Sequence, residues 1–402
     1  LPETDTCIPY GGYWTTPFAR WQGSLAHLHS LKYAAHVTRQ FLADRTPDIQ
    51  QFDFGVLGMT VPQQGCFYGL PWLAAMAGIG HIGGPTVSQA CATGARSMAT
   101  ASREIQAGLA ECALVITADR VSNGPHIYYP DPFGPGGTGV TEDWVLSNFN
   151  QDPYTQRDMT HTAENCADKW RVSTAEQHEV VQCRYGQYRQ ALEQNSGESF
   201  QQKYMMLPLE VPDKRFNKTL NTLTGDEGIT AANMEKMARL EPVQEGGTIT
   251  FAGQTHPADG NAGMIITTAE KAGALSRDPA IKIRIVAYGE AREEPAWMPA
   301  APIPASRRAL NQAGISISDV KAIKSHNPFA VNDIIFAKEM GIDVMAMNNY
   351  GCSLIWGHPQ GPTGLRAIIE LIEELVLEGG GYGLFHGCAA GDTAMAVVIR
   401  VD

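Results

Sequence analysis

Four residues in this chain have the types and settings for nucleophilic and acid–base chemistry: Cys91, His326, His358 and Cys388. Cys91 lies in Ser88-Gln89-Ala90-Cys91-Ala92-Thr93-Gly94-Ala95-Arg96, small residues followed by a helix-forming run from Ser97 to Ala107. That pattern predicts a strand-to-helix turn with the thiol over the helix N-terminus, where unpaired N–H groups and the positive end of the helix dipole favour a thiolate. Free cysteine is also among the most buried residue types, so Cys91 alone reads equally as a small core residue. His326 in Ser325-His326-Asn327-Pro328-Phe329 follows a strand pattern, and His358 in Trp356-Gly357-His358-Pro359-Gln360-Gly361 precedes a helix pattern. Cys388, in His386-Gly387-Cys388-Ala389-Ala390-Gly391-Asp392, joins the last two strands. Imidazoles titrate near neutrality and are easily tuned, which suits acid–base work. Each residue has a purely structural alternative, but all four fall at predicted strand ends.

The elements that must position them alternate. Strands are expected at Phe54–Val61, Thr86–Gln89 and Ala113–Ala118, and helices at Ser24–Asp44, with Ser24 as N-cap, and at Leu70–Gly78. Strand, helix, strand, helix, strand predicts an α/β fold. A second series is expected at Ile281–Tyr288, Pro304–Ala313 (helix), Val320–Lys324, Val331–Met340 (helix), Val344–Asn348, Gly361–Leu377 (helix), Tyr382–Phe385 and Ala394–Val401. Thr93-Gly94-Ala95-Arg96 opens a helix in the first series and Thr363-Gly364-Leu365-Arg366 in the second, so the two series read as a duplication whose loops meet at a shared seam. Between them, residues 122–247 are more polar and loop-rich with one clear helix at Thr174–Glu193, the pattern of an insertion or lid. The organisation expected is therefore 1–121 with 248–280 as one half, 122–247 inserted, and 281–402 as the other half.

At 402 residues the chain is long enough for two or three domains. A formal net charge of -12 argues against non-specific nucleic-acid binding, and an anionic ligand needs a local basic patch such as Lys203, Lys214, Arg215 and Lys218. The eight cysteines show no C-x-x-C spacing or zinc pattern, and His27, His29 and His36 lack acidic or cysteine partners. Disulfides and a metal are therefore not expected. No run of about twenty apolar residues and no leader pattern is visible, which predicts a cytoplasmic protein without a membrane association.

The chain resembles the thiolase family over nearly its whole length. The resemblance rests on the Cys91 turn, Thr162-Ala163-Glu164-Asn165, Ala252-Gly253 through Asp259-Gly260, His326-Asn327-Pro328-Phe329, Gly357-His358-Pro359 with Gly361 and Gly364, and the Cys388 loop. It implies duplicated βαβαβαββ halves in a five-layered α/β/α/β/α fold, an inserted loop domain that holds coenzyme A as co-substrate, and a homodimer or tetramer. It also implies that Cys91, activated by His358, forms an acyl-enzyme from a 3-oxoacyl-CoA while Cys388 protonates the leaving carbanion. The backbone N–H groups of Cys91 and Ala390 would form one oxyanion hole, and His326 with His358 the other. Two departures stand out. His326-Asn327 occupies a place where most relatives have asparagine and glutamate. The turn Ala252-Gly253-Gln254-Thr255-His256-Pro257 is one residue short and lacks a serine expected near the pantetheine arm. Lys214, Arg215, Thr255 and His256 are the expected coenzyme A contacts, and a small accessory subunit with an OB fold and zinc ribbon, found with some divergent members, is the expected partner.

Within the family, the overall similarity is to catalytic subunits that cleave benzoylsuccinyl-CoA to benzoyl-CoA and succinyl-CoA. Tyr10, Tyr13, Trp14, Phe18, Trp21, Phe67, Tyr68 and Trp72 make the first half aromatic, as core packing or as a wall for an aromatic acyl group. The alternatives are a short-chain acetyl-CoA acetyltransferase, a 3-oxoacyl synthase-like condensing enzyme, which has no need of Cys388, and a non-catalytic acyl-CoA-binding scaffold.

Overall fold

The computed structural model describes residues 5–45, 48–195 and 197–402. In the first half, Thr86–Val87, Phe54–Gly58 and Cys112–Arg120 run parallel, and Ala258–Thr268 closes the sheet antiparallel. In the second half, Val320–His326 and Gly381–Ala389 are parallel, followed antiparallel by Thr393–Val401 and Ile283–Arg292. The short strand Thr6–Ile8 pairs with both Ala258–Thr268 and Ile283–Arg292, so one ladder runs through the two sheets.

Five layers follow from strands that are apolar on both faces. Along Cys112–Arg120, Leu114 and Ile116 pack with the outer helices Ser30–Arg45 and Gly69–Ala77, whereas Ala113 and Val115 pack with the central helices Thr93–Gln106 and Gly361–Leu377. Along Thr393–Val401, Val397 and Ile399 face that same central pair, and Ala396 and Val398 face Pro302–Ala313 and Ala330–Met340 on the other side. The repeated Thr-Gly-x-Arg segments are where the central helices touch. A Cβ on Gly94 would stand 2.6 Å from Leu365 N and 2.8 Å from Gly361 O, so only glycine permits this approach.

The insertion is more ordered than its sequence predicts. It carries the hairpin His126–Pro130 with Gly139–Asp143, the helices Met159–Trp170 and Thr174–Leu192, and the hairpin Leu209–Pro212 with Thr219–Leu223. Two buried ion pairs fasten it to the second half. Arg184 meets Asp333 at 3.0 Å, and Arg366 grips Asp226 through two nitrogens at 2.7 and 2.9 Å while stacking on Phe18 and Trp356.

Two expected elements differ. The first outer helix starts at Ser30, not Ser24, because Glu227 takes the Ser24 N–H and hydroxyl, and the Gln63 side chain takes the Ser30 N–H at 2.8 Å. Val344–Asn348 is no strand: a 3₁₀ turn spans Val344–Ala346, and Arg184 and Gln187 occupy the Val344 and Met347 carbonyls that a ladder would need.

Candidate active site

Cys91 stands between the strand Thr86–Val87 and the helix Thr93–Gln106, as its sequence setting predicts. Ala90 adopts φ +42°, an uncommon conformation for a residue with a Cβ, and the turn is pinned by Thr93 Oγ1, which donates to Ala90 O at 2.7 Å and accepts from Gln89 N at 2.8 Å. The backbone N–H groups of Cys91 and Ala390 both act on the sulfur. Gln360 Oε1 lies 3.4 Å away. Contrary to the expected thiolate, burial pushes the thiol up to about 12, above what those two N–H groups can offset. Cys91 rests as a thiol and needs a base.

Two imidazoles stand ready. His326 ends the strand Val320–His326; its Nδ1 is 2.9 Å from Ser353 Oγ. His358 follows the one-turn helix Ser353–Trp356, and its Nδ1 is 2.6 Å from Thr363 Oγ1 at the start of the second central helix. The rings stack with centroids 4.1 Å apart and planes at 24°. Both Nε2 atoms are buried without a partner among the described residues, and one donor atom from each ring and Cys91 Sγ all lie within 4.8 Å of one another. Burial, then the neighbouring His386, pushes His326 down to about 3; burial, then His326 and His256, holds His358 well below the usual range. Both are therefore neutral. Because each Nδ1 faces a hydroxyl, which can give or take a hydrogen bond, each Nε2 can serve as lone pair or as N–H without orphaning Nδ1.

Cys388, fully buried on Gly381–Ala389, accepts from Asn332 Nδ2 at 3.3 Å; burial and then Cys91 raise its pKa well above the usual thiol range. Supporting residues that the sequence did not reveal hold this floor in place. Asp119 accepts from Thr60 N, Val61 N and Gly361 N at 2.8–2.9 Å, tying the first sheet to the start of the second central helix. Asp333 accepts from Ser325 Oγ at 2.7 Å and Asn327 Nδ2 at 2.8 Å. Ser353 takes the Asn327 N–H at 3.1 Å. None of these carries a motif; only their place in the fold marks them.

Cys91, His358, Gln360 and Ala390 open onto a cavity of about 690 Å³. Its walls include Val61, Trp144, Val145, Phe149, Met159, Met298 and Phe329; Glu142 and Asp158 line it, and among the described residues no lysine or arginine does. Asn150 and Asp158 are shared with a neighbouring recess that carries Arg157 and His161.

Not every expected residue reaches this site. Lys214 and Arg215 line a separate surface groove with His27 and Lys218, because the hairpin that carries them turns away. Thr255 lines the cavity, but its hydroxyl is committed to Ser353 O at 2.5 Å. The His256 ring faces Gly357 instead, where an added Cβ would come within 2.8 Å of Nε2; its carbonyl accepts from His358 N at 2.8 Å. Nor do the first-half aromatics form the cavity wall: Trp14 stacks on Phe41, Phe18 packs on Trp356, and Phe67 and Tyr68 are exposed. His27 and His29 hold the carbonyls of Pro212 and Gln64 and are structural.

The thiolase N-terminal domain profile matches residues 13–270 and the thiolase C-terminal domain profile residues 280–401. The chain belongs to the thiolase family. It is thus an acyltransferase, and its relatives include an acetyl-CoA acetyltransferase of Pseudomonas aeruginosa, 26% identical over 96% of this thiolase and 97% of that protein. The beta-ketothiolase BktB of Cupriavidus necator is 28% identical over 96% of each chain. The fold matches human mitochondrial 3-ketoacyl-CoA thiolase with a TM-score of 0.89 at 24% identity, covering 99% of each chain. A structure of that human enzyme in complex with CoA matches at 0.88. Among the described residues of this thiolase, no helix is long and apolar enough to cross a membrane.

Proposed function

We propose that this thiolase cleaves a 3-oxoacyl-CoA through an acyl-enzyme on Cys91, with benzoylsuccinyl-CoA as substrate and benzoyl-CoA and succinyl-CoA as products. The observation that carries the chemistry is a thiol and a neutral imidazole, Cys91 and His358, on the wall of one cavity, with a second neutral imidazole, His326, grouped with them and a second thiol, Cys388, buried close enough to Cys91 to feel its charge.

His358 Nε2 takes the proton of Cys91 Sγ, and the sulfur attacks the C3 carbonyl of the substrate. The developing oxyanion meets the N–H groups of Cys91 and Ala390, donors of a kind worth about 3 kcal/mol each. As the tetrahedral species collapses, the C2–C3 bond breaks and its electron pair moves onto C2. The resulting thioester enolate is held at its oxygen by the imidazoles of His358, now carrying the proton, and His326. Cys388 gives its proton to C2, and the shortened acyl-CoA leaves. Incoming coenzyme A gives its thiol proton to the Cys388 thiolate and attacks the acyl-enzyme carbonyl. The Cys91 sulfur leaves and recovers its proton from His358. The high proton affinity of both buried thiols suits a cycle in which each is deprotonated only transiently.

For the acyl group, Trp144, Phe149 and Phe329 offer aromatic contact, and Trp144 is held by its indole N–H to Thr60 O at 2.8 Å. The pantetheine arm would run along the cavity, leaving the phosphates in the recess of Arg157 and His161 rather than at Lys214 and Arg215. A cytoplasmic homodimer or tetramer, with or without the small accessory subunit, completes the proposal. The second reading, a short-chain acetyl-CoA acetyltransferase, is favoured by the names of the relatives and by the lack, among the described residues, of a lining lysine or arginine to meet the succinyl carboxylate.

The test is Cys388→Ala. It should abolish cleavage of benzoylsuccinyl-CoA yet leave Cys91 able to take an acyl group directly from benzoyl-CoA. Cleavage at the wild-type rate would overturn the role of Cys388 and favour a different carbon acid–base group.

A further inference from the structure

We propose that Cys91, His326 and His358 also form an inhibitory site for a thiophilic divalent cation of the Zn²⁺ or Cd²⁺ class, bound in place of the acyl group. No resident metal is implied; the ion would compete with catalysis.

Three observations carry this. First, a thiol and two imidazoles converge, with one donor atom from each all within 4.8 Å of one another. Around a tetrahedral ion with bonds of about 2.0–2.3 Å, such donors stand roughly 3.3–3.8 Å apart, a closure that rotation of the Cys91 side chain and small ring tilts can supply. Second, both Nε2 atoms are buried and lack a partner among the described residues, so no protein hydrogen bond has to break to present them. Third, each Nδ1 already faces a hydroxyl, Ser353 at 2.9 Å and Thr363 at 2.6 Å, which can accept Nδ1–H and leave the Nε2 lone pair facing the ion. Metal-bound histidines are usually oriented in this way. The cavity gives a path in, with Glu142 and Asp158 and, among the described residues, no lysine or arginine on its walls.

Binding balances simply. The ion forms bonds to Cys91 Sγ and the two Nε2 atoms, the S–H bond breaks, and the proton leaves to solvent. The fourth position is open to water or to Gln360 Oε1, 3.4 Å from the sulfur.

The experiment needs no acyl-CoA, so it succeeds or fails independently of the thiolase mechanism. Purified protein is titrated with Co²⁺ as a spectroscopic probe and with Zn²⁺ by equilibrium dialysis, and Cys91 alkylation by iodoacetamide is followed by mass. The proposal expects one ion per chain, a sulfur-to-cobalt charge-transfer band, protection of Cys91, and reversal by a chelator. Cys91→Ser should lose the band, and His326→Asn should weaken binding at least about tenfold. Wild-type protein pre-alkylated at Cys91, whose fold is not in question, should also lose the band. Full binding by the alkylated protein, unprotected Cys91 in the presence of bound ion, or no saturable binding up to roughly millimolar metal would overturn the proposal.

Discussion

Thr363→Val separates the orientation of His358 from its mere presence. The substitution keeps the shape of the side chain and the start of the helix Gly361–Leu377, but removes the hydroxyl 2.6 Å from His358 Nδ1. Nδ1 is then orphaned beside a methyl group in either tautomer. A buried polar atom left unpaired costs about 1–3 kcal/mol. If that cost falls on the working orientation of the ring, acylation slows by about fivefold to a little over a hundredfold, since 1.4 kcal/mol is a factor of ten. Global stability should fall by about 1–3 kcal/mol, because Thr363 and His358 are both buried and Nδ1 loses its partner. The assay is single-turnover acylation of Cys91 by an acyl-CoA, with the melting temperature measured in parallel. Thr363→Ser should restore most of the rate. An acylation rate within twofold of wild type in Thr363→Val would refute the claim that this hydroxyl sets His358, and so would equal loss in Thr363→Ser.

Other consequences concern the wall, the joint and pH. Trp144→Ala should lower kcat/KM for the aromatic substrate by about tenfold, the value of one aromatic contact, with acetoacetyl-CoA little changed; equal loss on both would remove Trp144 from acyl selection. Asp333→Ala leaves Arg184 buried and unpaired and frees Ser325 and Asn327, which should cost about 3–5 kcal/mol by urea unfolding, whereas Arg184→Met with Asp333→Leu should recover part of it. His326, His358 and His386 all titrate below their unfolded value, near 3 for His326 and near 4 for His386. Depressed histidines contribute stability that is complete above about pH 6.5 and lost as pH falls toward their folded values. Each adds a slope of up to about 1.4 kcal/mol per pH unit below 6.5, and His386→Gln should remove roughly a third of the total; unfolding free energies that stay flat from pH 7 to 5 would contradict this.

The duplicated α/β frame was legible because its strands are apolar on both faces and because Thr-Gly-x-Arg opens both central helices. Cys91 and His358 stand out in the sequence because each lies in a turn before a helix, and His326 because it closes a strand, whereas Cys388, expected in the loop between the last two strands, lies within the strand Gly381–Ala389 opposite Ala394. What stayed hidden depends on tertiary partners. Nothing local tells that Glu227 captures Ser24 and delays the helix, or that Arg184 spends the carbonyls of Val344 and Met347 that a strand would use. The helix Met159–Trp170 was read only as a motif, although Asp158 caps it by accepting from His161 N at 2.7 Å. Of the two fates open to the first-half aromatics, Trp14 and Phe18 take core packing, and the ring-bearing wall comes from Trp144 and Phe149 in the insertion and Phe329, none of which the sequence marks as a wall. That Lys214 and Arg215 line a surface groove apart from the Cys91 cavity was equally invisible, because it depends on where their hairpin packs. The thiol's protonation was hidden as well, because the helix terminus was visible in the sequence and the depth of burial was not.

The proposed chemistry turns on Cys91 carrying the acyl group and on that group being aromatic. Both are read at once from the intact mass of the purified protein after incubation with benzoylsuccinyl-CoA and, separately, acetoacetyl-CoA, beside a Cys91→Ser control. A benzoyl adduct from the first substrate, absent in the control, is the expected result. An acetyl adduct from acetoacetyl-CoA alone would contradict the aromatic assignment and make this a short-chain thiolase, and an adduct that persists in Cys91→Ser would contradict the nucleophile itself.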